Sequence, residues 1–518
     1  MANENDNIEA NNYYRWKYFA RDTNLDDYEY GNDGPWPQPA PDHPMGQLSQ
    51  VLHIPERELK DWKKNVSRKY LWLFLTRWPL ALWRAWTNKH YGEITDKKFD
   101  NYLTKELYSR YLSPLDPIDK EVFAEQIGDT DPADCLKCDF ICMEVIKPTY
   151  EGMHAAPTVV LLKKDENEYK ATAIHFPDSK DSLVLTRSDG EAWRLAKYFV
   201  LQGASHRINL ITHAALHFPF DPINAITKTA LPKDHLLFRL LIPHFRLALP
   251  VNHSVLEGEK SLISRTTWTI WAPFCAPGLT IRHLFPYAYV GKPEREASYP
   301  AYNFPLENDE NRSPYFEFLN AYRDTVKAFV RQFADLAFDK VWDLDGNTDW
   351  NYVTYWADNC SQWVPGFPNG EQIQNKEVFV EAIATIIWDL AISHSTDHDS
   401  IHQIPNNELV FRLRLPPPTK KTIDRWELYE LCNWIDLFKS NLTDILFYKP
   451  HNVTWLKDVD YDFEGMTNNR YNKSLLIELD GIANKFIKSE LHRTEAELEK
   501  KEVKIFIKLK DMAASLQY

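Results

Sequence analysis

SHRINLITHAALHFPFD, residues 205–221, sets His213 and His217 four positions apart in an apolar run. On an α-helix that spacing projects both rings from one face, one turn apart, close enough to clasp a metal ion. Asp221 continues the stripe, where a carboxylate can accept a hydrogen bond from a ligand ring or anchor the next segment. One such pair says little by itself. TIIWDLAISHSTDH, residues 385–398, adds a second, His394 and His398, again four apart, at the end of another strongly apolar helix. A buried imidazole needs a partner for each nitrogen, and two unrelated pairs would carry that cost twice without return. Metal ligation supplies the partner, and neutral imidazoles favour iron, manganese, copper or zinc. His206, two turns before His213, lies on nearly the same face and competes as a ligand, although a structural role is the preferred reading.

Helices dominate the surrounding chain. Apolar residues recur at three- and four-residue steps over about 190–217, 316–340, 376–398, 422–446 and 473–500. Two β-rich runs around a polar turn in PTVVLLKKDENEYKATAIHF (157–176) predict a hairpin. The expectation is a mainly α fold: one large helical domain over 61–518 with a small β-hairpin or sheet element. Residues 1–60, Pro-punctuated at GPWPQPAPDHP (34–44), read as an extended arm lacking the regular strands of a β-sandwich. YLWLFLTRWPLALWRAW (70–86) is apolar on nearly every face, but Arg77 and Pro79 interrupt it and it is short for a membrane span. It reads first as a buried helix; its mixture of Trp and Arg also suits a lid or a surface in peripheral contact with lipid.

Composition narrows the function classes. A 518-residue chain with 44% hydrophobic and 14% aromatic residues has ample material for a core or an apolar ligand pocket. A net charge of −14 and no long Lys/Arg run argue against nucleic acid as a partner. MANENDNIEA lacks the basic start and apolar run of a secretory signal, so a cytoplasmic location is expected. The six cysteines read as reduced thiols. Cys135, Cys138 and Cys142 lack the second Cys-x-x-Cys that a zinc site would need. No P-loop, dinucleotide fingerprint or G-x-S-x-G occurs.

At its histidines the sequence resembles the lipoxygenase family. The likeness runs from WRLAK (193–197) through HAALHFPFDPINAIT (213–227) and LPKDHLLFRLLIPHFRLALPVN (231–252), and resumes at TIIWDLAISHSTDH. The family's pattern is H-x4-H-x3-E, then a Pro and an Ala-Thr step, then L-P-x2-H-P-x3-L-L-x-P-H.

The resemblance implies a non-haem iron, or manganese, held by His213, His217 and His394, the catalytic centre of the family. His398 falls where the family carries Asn or His. The last main-chain carboxylate, here that of Tyr518, would complete the shell, although the family usually ends in Ile. His235 and His244 match family histidines that are not ligands and read as buried structural residues. The implied reaction is insertion of O2 into a polyunsaturated fatty acid, or another apolar substrate, to give a hydroperoxide. Alternatives are an oxygenase or isomerase of a different unsaturated metabolite and a non-catalytic lipid-binding relative. Three departures stand out. His213 and His217 are four apart where the family has five through a π-type bulge, a spacing that suits an ordinary α-helix. The family's Arg is absent from NHSVLEGEKSLI (252–263). The small residue that steers oxygen falls near Thr267, so regiochemistry does not carry over.

Overall fold

The computed structural model describes residues 15–19, 27–31, 50–64, 68–166, 168–179, 182–217, 220–251, 273–284, 313–342, 348–364, 366–446, 453–466 and 471–517. Its centre is a helix from Lys376 to His402 whose most apolar window has a mean hydropathy of 1.4 and is 89% buried within the protein. Asn375 starts it by accepting the N–H groups of Glu377 and Val378. The Trp388 indole N–H donates to the Leu319 carbonyl at 3.0 Å, tying it to the Pro314–Lys340 helix. That second helix opens with Ser313 as cap and Pro314 at the first helical position, where a missing N–H costs nothing.

The other histidine helix spans residues 191–215. Near its start Trp193 and Lys197, one turn apart, both grip Asp96, through the indole N–H at 2.9 Å and the ammonium at 2.7 Å. At Gly203 the helix passes so close to the Ile141–Val145 turn that a Cβ would lie 2.7 Å from Phe140 Cβ. Only a residue without a side chain fits there.

The expected hairpin is present, β6 (Val159–Asp165) against β7 (Glu168–Phe176), inside a five-stranded antiparallel sheet. Its other members are β4 (Leu112–Pro114), β5 (Cys135–Asp139) and β8 (Leu183–Thr186), in the order β4-β5-β6-β7-β8. Strand alternation splits the sheet between two cores: Val160, Leu162 and Ile174 join the main one, while Val159, Leu161 and Ala173 pack with Leu115, Phe123 and Ile127. It also separates Cys135 from Cys138, which sit in different cores.

Three expectations need correction. Within residues 1–60, β1 (Arg15–Phe19), β2 (Asp27–Gly31) and β3 (Gln50–His53) form an antiparallel sheet, so this stretch carries regular strands that its Pro-rich composition hid. The 422–446 helix is two pieces, Leu428–Leu431 and Trp434–Leu446. Cys432 is extended between them, and Asn433 restarts the helix by accepting the N–H groups of Ile435 and Asp436. The Arg68–Asn88 helix, read as buried, leaves Trp72, Trp83 and Trp86 on the surface.

Candidate metal centre

Both histidine helices change register just before their first histidine. Residues Ile208–Thr212 form a π turn ahead of His213, and Trp388–Ser393 form one ahead of His394. The regular α-helix expected around His213 is therefore replaced by a wider turn. The α-helical stretch after it is only His213–Ala215, and His217 lies in the turn beyond. An inserted π turn rotates the residues that follow relative to those before, which is how such turns re-aim side chains at functional sites.

The effect is convergence. One ligand nitrogen from each of His213, His217 and His394 falls within 4.8 Å of the others. His213 Nε2 and His217 Nε2 are 3.1 Å apart. Two nitrogens bound at about 2.1 Å to one ion would lie roughly 3.0 to 3.4 Å apart at right-angled or tetrahedral geometry. His398 stands beside the trio, its ring centroid 4.5 Å from that of His394 and 4.8 Å from that of His213, but outside the tight group. His217, His394 and His398 are buried and His213 nearly so. Neutral imidazoles of this kind are borderline donors that suit iron, manganese, zinc or copper, so the donor set fits a resident transition metal.

Behind the trio lies a charge pair that the sequence did not single out. Asp397 pairs with Arg110, both fully buried, and accepts the Tyr315 hydroxyl at 2.8 Å. Its Oδ2 lies 3.8 Å from His213 Nδ1. Burial alone would raise the Asp397 carboxyl, but Arg110, with His213 and Tyr315, outweighs it and holds the group below the usual carboxylate range. An acid inside an apolar helix was the available signal, since a buried carboxylate requires a cation. The cation is 287 positions away, beyond any spacing rule.

Three other histidines that the sequence singles out, His206, His235 and His244, are structural in their contacts. His206 donates from Nδ1 to the Gln202 carbonyl at 2.9 Å and packs between Phe274 and Phe411. His235 caps the Leu236–Leu241 helix, accepting the Leu237 N–H, and donates to the Asp349 carbonyl. His244 donates to the Ala514 carbonyl at 2.8 Å and accepts the Tyr461 hydroxyl at 3.0 Å. Asp221 is buried in the first turn of the Phe220–Ala230 helix, where the helix dipole favours a negative charge.

Residues 512–517 run through the core. Met512 to Gln517 are all buried, and the Ala513 N–H donates to Ser395 Oγ at 2.9 Å, one residue beyond His394. Tyr518, Thr267 and the NHSVLEGEKSLI stretch after its first position, as well as Asn252 itself, lie outside the described residues.

This architecture matches solved lipoxygenases closely in shape. The manganese lipoxygenase of Gaeumannomyces graminis superposes with a TM-score of 0.68 at 14% identity, over 93% of this chain and 96% of its own. The fold is that of the lipoxygenases. Coral 8R-lipoxygenase agrees, with a TM-score of 0.65 and 14% identity over 93% of this chain and 79% of that lipoxygenase. A calcium-dependent 11R-lipoxygenase gives 0.64 at 15% identity over 82% of this chain, which spans 65% of that lipoxygenase's length. No protein-family model matches the sequence. Lipoxygenase likeness at this identity concerns the fold, and both manganese and calcium-dependent enzymes share it.

Proposed function

We propose that the protein is a non-haem metal dioxygenase that inserts O2 into a polyunsaturated fatty acid to give a hydroperoxide. His213, His217 and His394 would hold iron or manganese, with His398 adjoining and the α-carboxylate of Tyr518 completing the shell. The observation that carries this reading is the meeting of three imidazole donors from two helices, each re-aimed by its own π turn.

When bound, the ion supplies the one-electron oxidation by which a weak bis-allylic C–H bond gives up its hydrogen atom. Everything else is work for the chain. Asp397 Oδ2 lies 3.8 Å from Nδ1 of His213, so its charge faces one side of the ring while Nε2, on the other, meets His217. Arg110 and Tyr315 hold Asp397 in turn. Each π turn also carries a buried apolar residue two positions before its histidine, Ile211 before His213 and Ile392 before His394. The substrate's reacting methylene must be held at the centre while O2 reaches the carbon radical, a task of position rather than of acid or base. One C–H bond and one O2 become one C–OOH group, so no external reductant is consumed.

The family's Arg is missing from residues 252–263, which favours as a second reading an oxygenase or isomerase of another unsaturated molecule. Metal-loaded protein incubated with linoleate and arachidonate should consume oxygen and raise conjugated-diene absorbance. Oxygen uptake or isomerisation with other unsaturated molecules alone selects the second reading, and neither with any of them leaves a lipid-binding relative without this activity.

A further inference from the structure

We propose that the exposed face of the Arg68–Asn88 helix docks the protein on bilayers containing anionic phospholipid. Trp72, Leu75, Pro79, Trp83 and Trp86 follow one another at three- and four-residue steps, so they form one stripe along the helix. That stripe faces outward, with Trp72 and Trp86 each 67% exposed, Trp83 60% and Leu75 52%. The opposite side is the packed one, where Ala81 meets Leu442 of the Trp434–Leu446 helix and Ala85 enters the main core. A surface helix ordinarily turns its apolar stripe inward.

The polar residues on the outer face do not offset this. Thr76 and Thr87 donate their hydroxyls to the carbonyls of Trp72 and Trp83, one turn back, so both hydroxyls find partners within the helix itself. A contiguous apolar patch of this kind marks an interaction surface, and tryptophan is the side chain that settles at the boundary between headgroups and acyl chains.

Charge selects the occupant. From Lys63 to Lys89 the sequence carries seven Lys or Arg and no Asp or Glu, in a chain whose net charge is −14. The segment that carries the Trp stripe is thus the basic part of an acidic body, so an anionic membrane attracts the protein through this segment and repels the rest of it. The same charge argues against a second copy, since two such segments would repel each other. The proposal stands apart from the reaction assigned to the histidines.

The full chain should sediment with phosphatidylcholine vesicles that contain phosphatidylserine, bind pure phosphatidylcholine vesicles far less, and release as salt is raised past the range where the screening length is about 10 Å. A Trp72→Ser/Trp83→Ser/Trp86→Ser variant, shown folded by circular dichroism, should lose at least about tenfold in partitioning. Ile118→Ser, at an exposed position on a separate helix, should change nothing. In the wild-type chain, brominated acyl chains should quench tryptophan fluorescence, a readout that needs no variant. The proposal is overturned if the triple variant binds like wild type, if phosphatidylserine makes no difference, or if the substitutions instead abolish a dimer of a chain that ignores vesicles.

Discussion

Asp397 presents Oδ2 to the Nδ1 of His213 at 3.8 Å, while the opposite nitrogen of that ring meets His217 at 3.1 Å. The carboxylate and the centre thus sit on opposite sides of one imidazole. Removing the carboxylate strands the Arg110 guanidinium in the core, so Asp397→Ala should cost about 3 to 5 kcal/mol. The double variant Arg110→Leu/Asp397→Leu should recover most of that stability in urea titrations while its metal affinity stays reduced. Equal stability of the single variant and wild type would remove the pair from the account.

Ser395 Oγ accepts the Ala513 N–H and so pins the 512–517 stretch beside His394. Ser395→Ala should cost roughly 1 to 3 kcal/mol, because the amide is left buried without its acceptor. Hydrogen exchange should speed up at Ala513 and Ala514 before it does elsewhere. Adding a residue after Tyr518 should lower metal loading; an extended chain with normal loading would show that no terminal carboxylate takes part.

Burial pushes the His244 imidazole down from 6.5 to about 4. As pH falls, the unfolded chain takes up this proton near pH 6.5 and the folded chain does not until about pH 4, so folded stability falls across that window. Between pH 7 and pH 5 the loss from this residue is about 2 kcal/mol by linkage. His244→Gln should therefore show a smaller drop in urea-unfolding free energy over the same range, whatever its stability at pH 7. An unchanged drop would mean that His244 titrates normally in the folded state.

Gly203→Ala places a methyl group against Phe140 and should destabilise by about 1 to 3 kcal/mol through overpacking. Thermal unfolding measures it. A neutral or stabilising outcome would show that the 191–215 helix can move away from the Ile141–Val145 turn.

The parts of this fold that were legible in the sequence are those set by local periodicity. The Lys376–His402 and Pro314–Lys340 helices show uninterrupted apolar steps, and β6 and β7 show two β-rich runs around a polar turn. Long-range pairing is what sequence spacing does not carry. Arg110 meets Asp397, and Ser395 meets Ala513, only after the chain has folded. The π turns were missed for a different reason: an inserted residue changes the ring directions without changing composition, so a four-residue histidine step looked like an ordinary helix. The outward stripe of the Arg68–Asn88 helix was hidden because apolarity on most faces resembles burial, and only its neighbours decide which face is covered.

The account rests on His213, His217 and His394 sharing one ion, and metal content measured by mass spectrometry tests that most directly. Wild-type protein expressed with iron and manganese and purified without chelator should hold stoichiometric metal, His213→Ala, His217→Ala and His394→Ala should each hold only traces, and His235→Ala should keep its metal while losing stability. Wild-type protein with only trace metal, or histidine variants that load as fully as wild type, would contradict it.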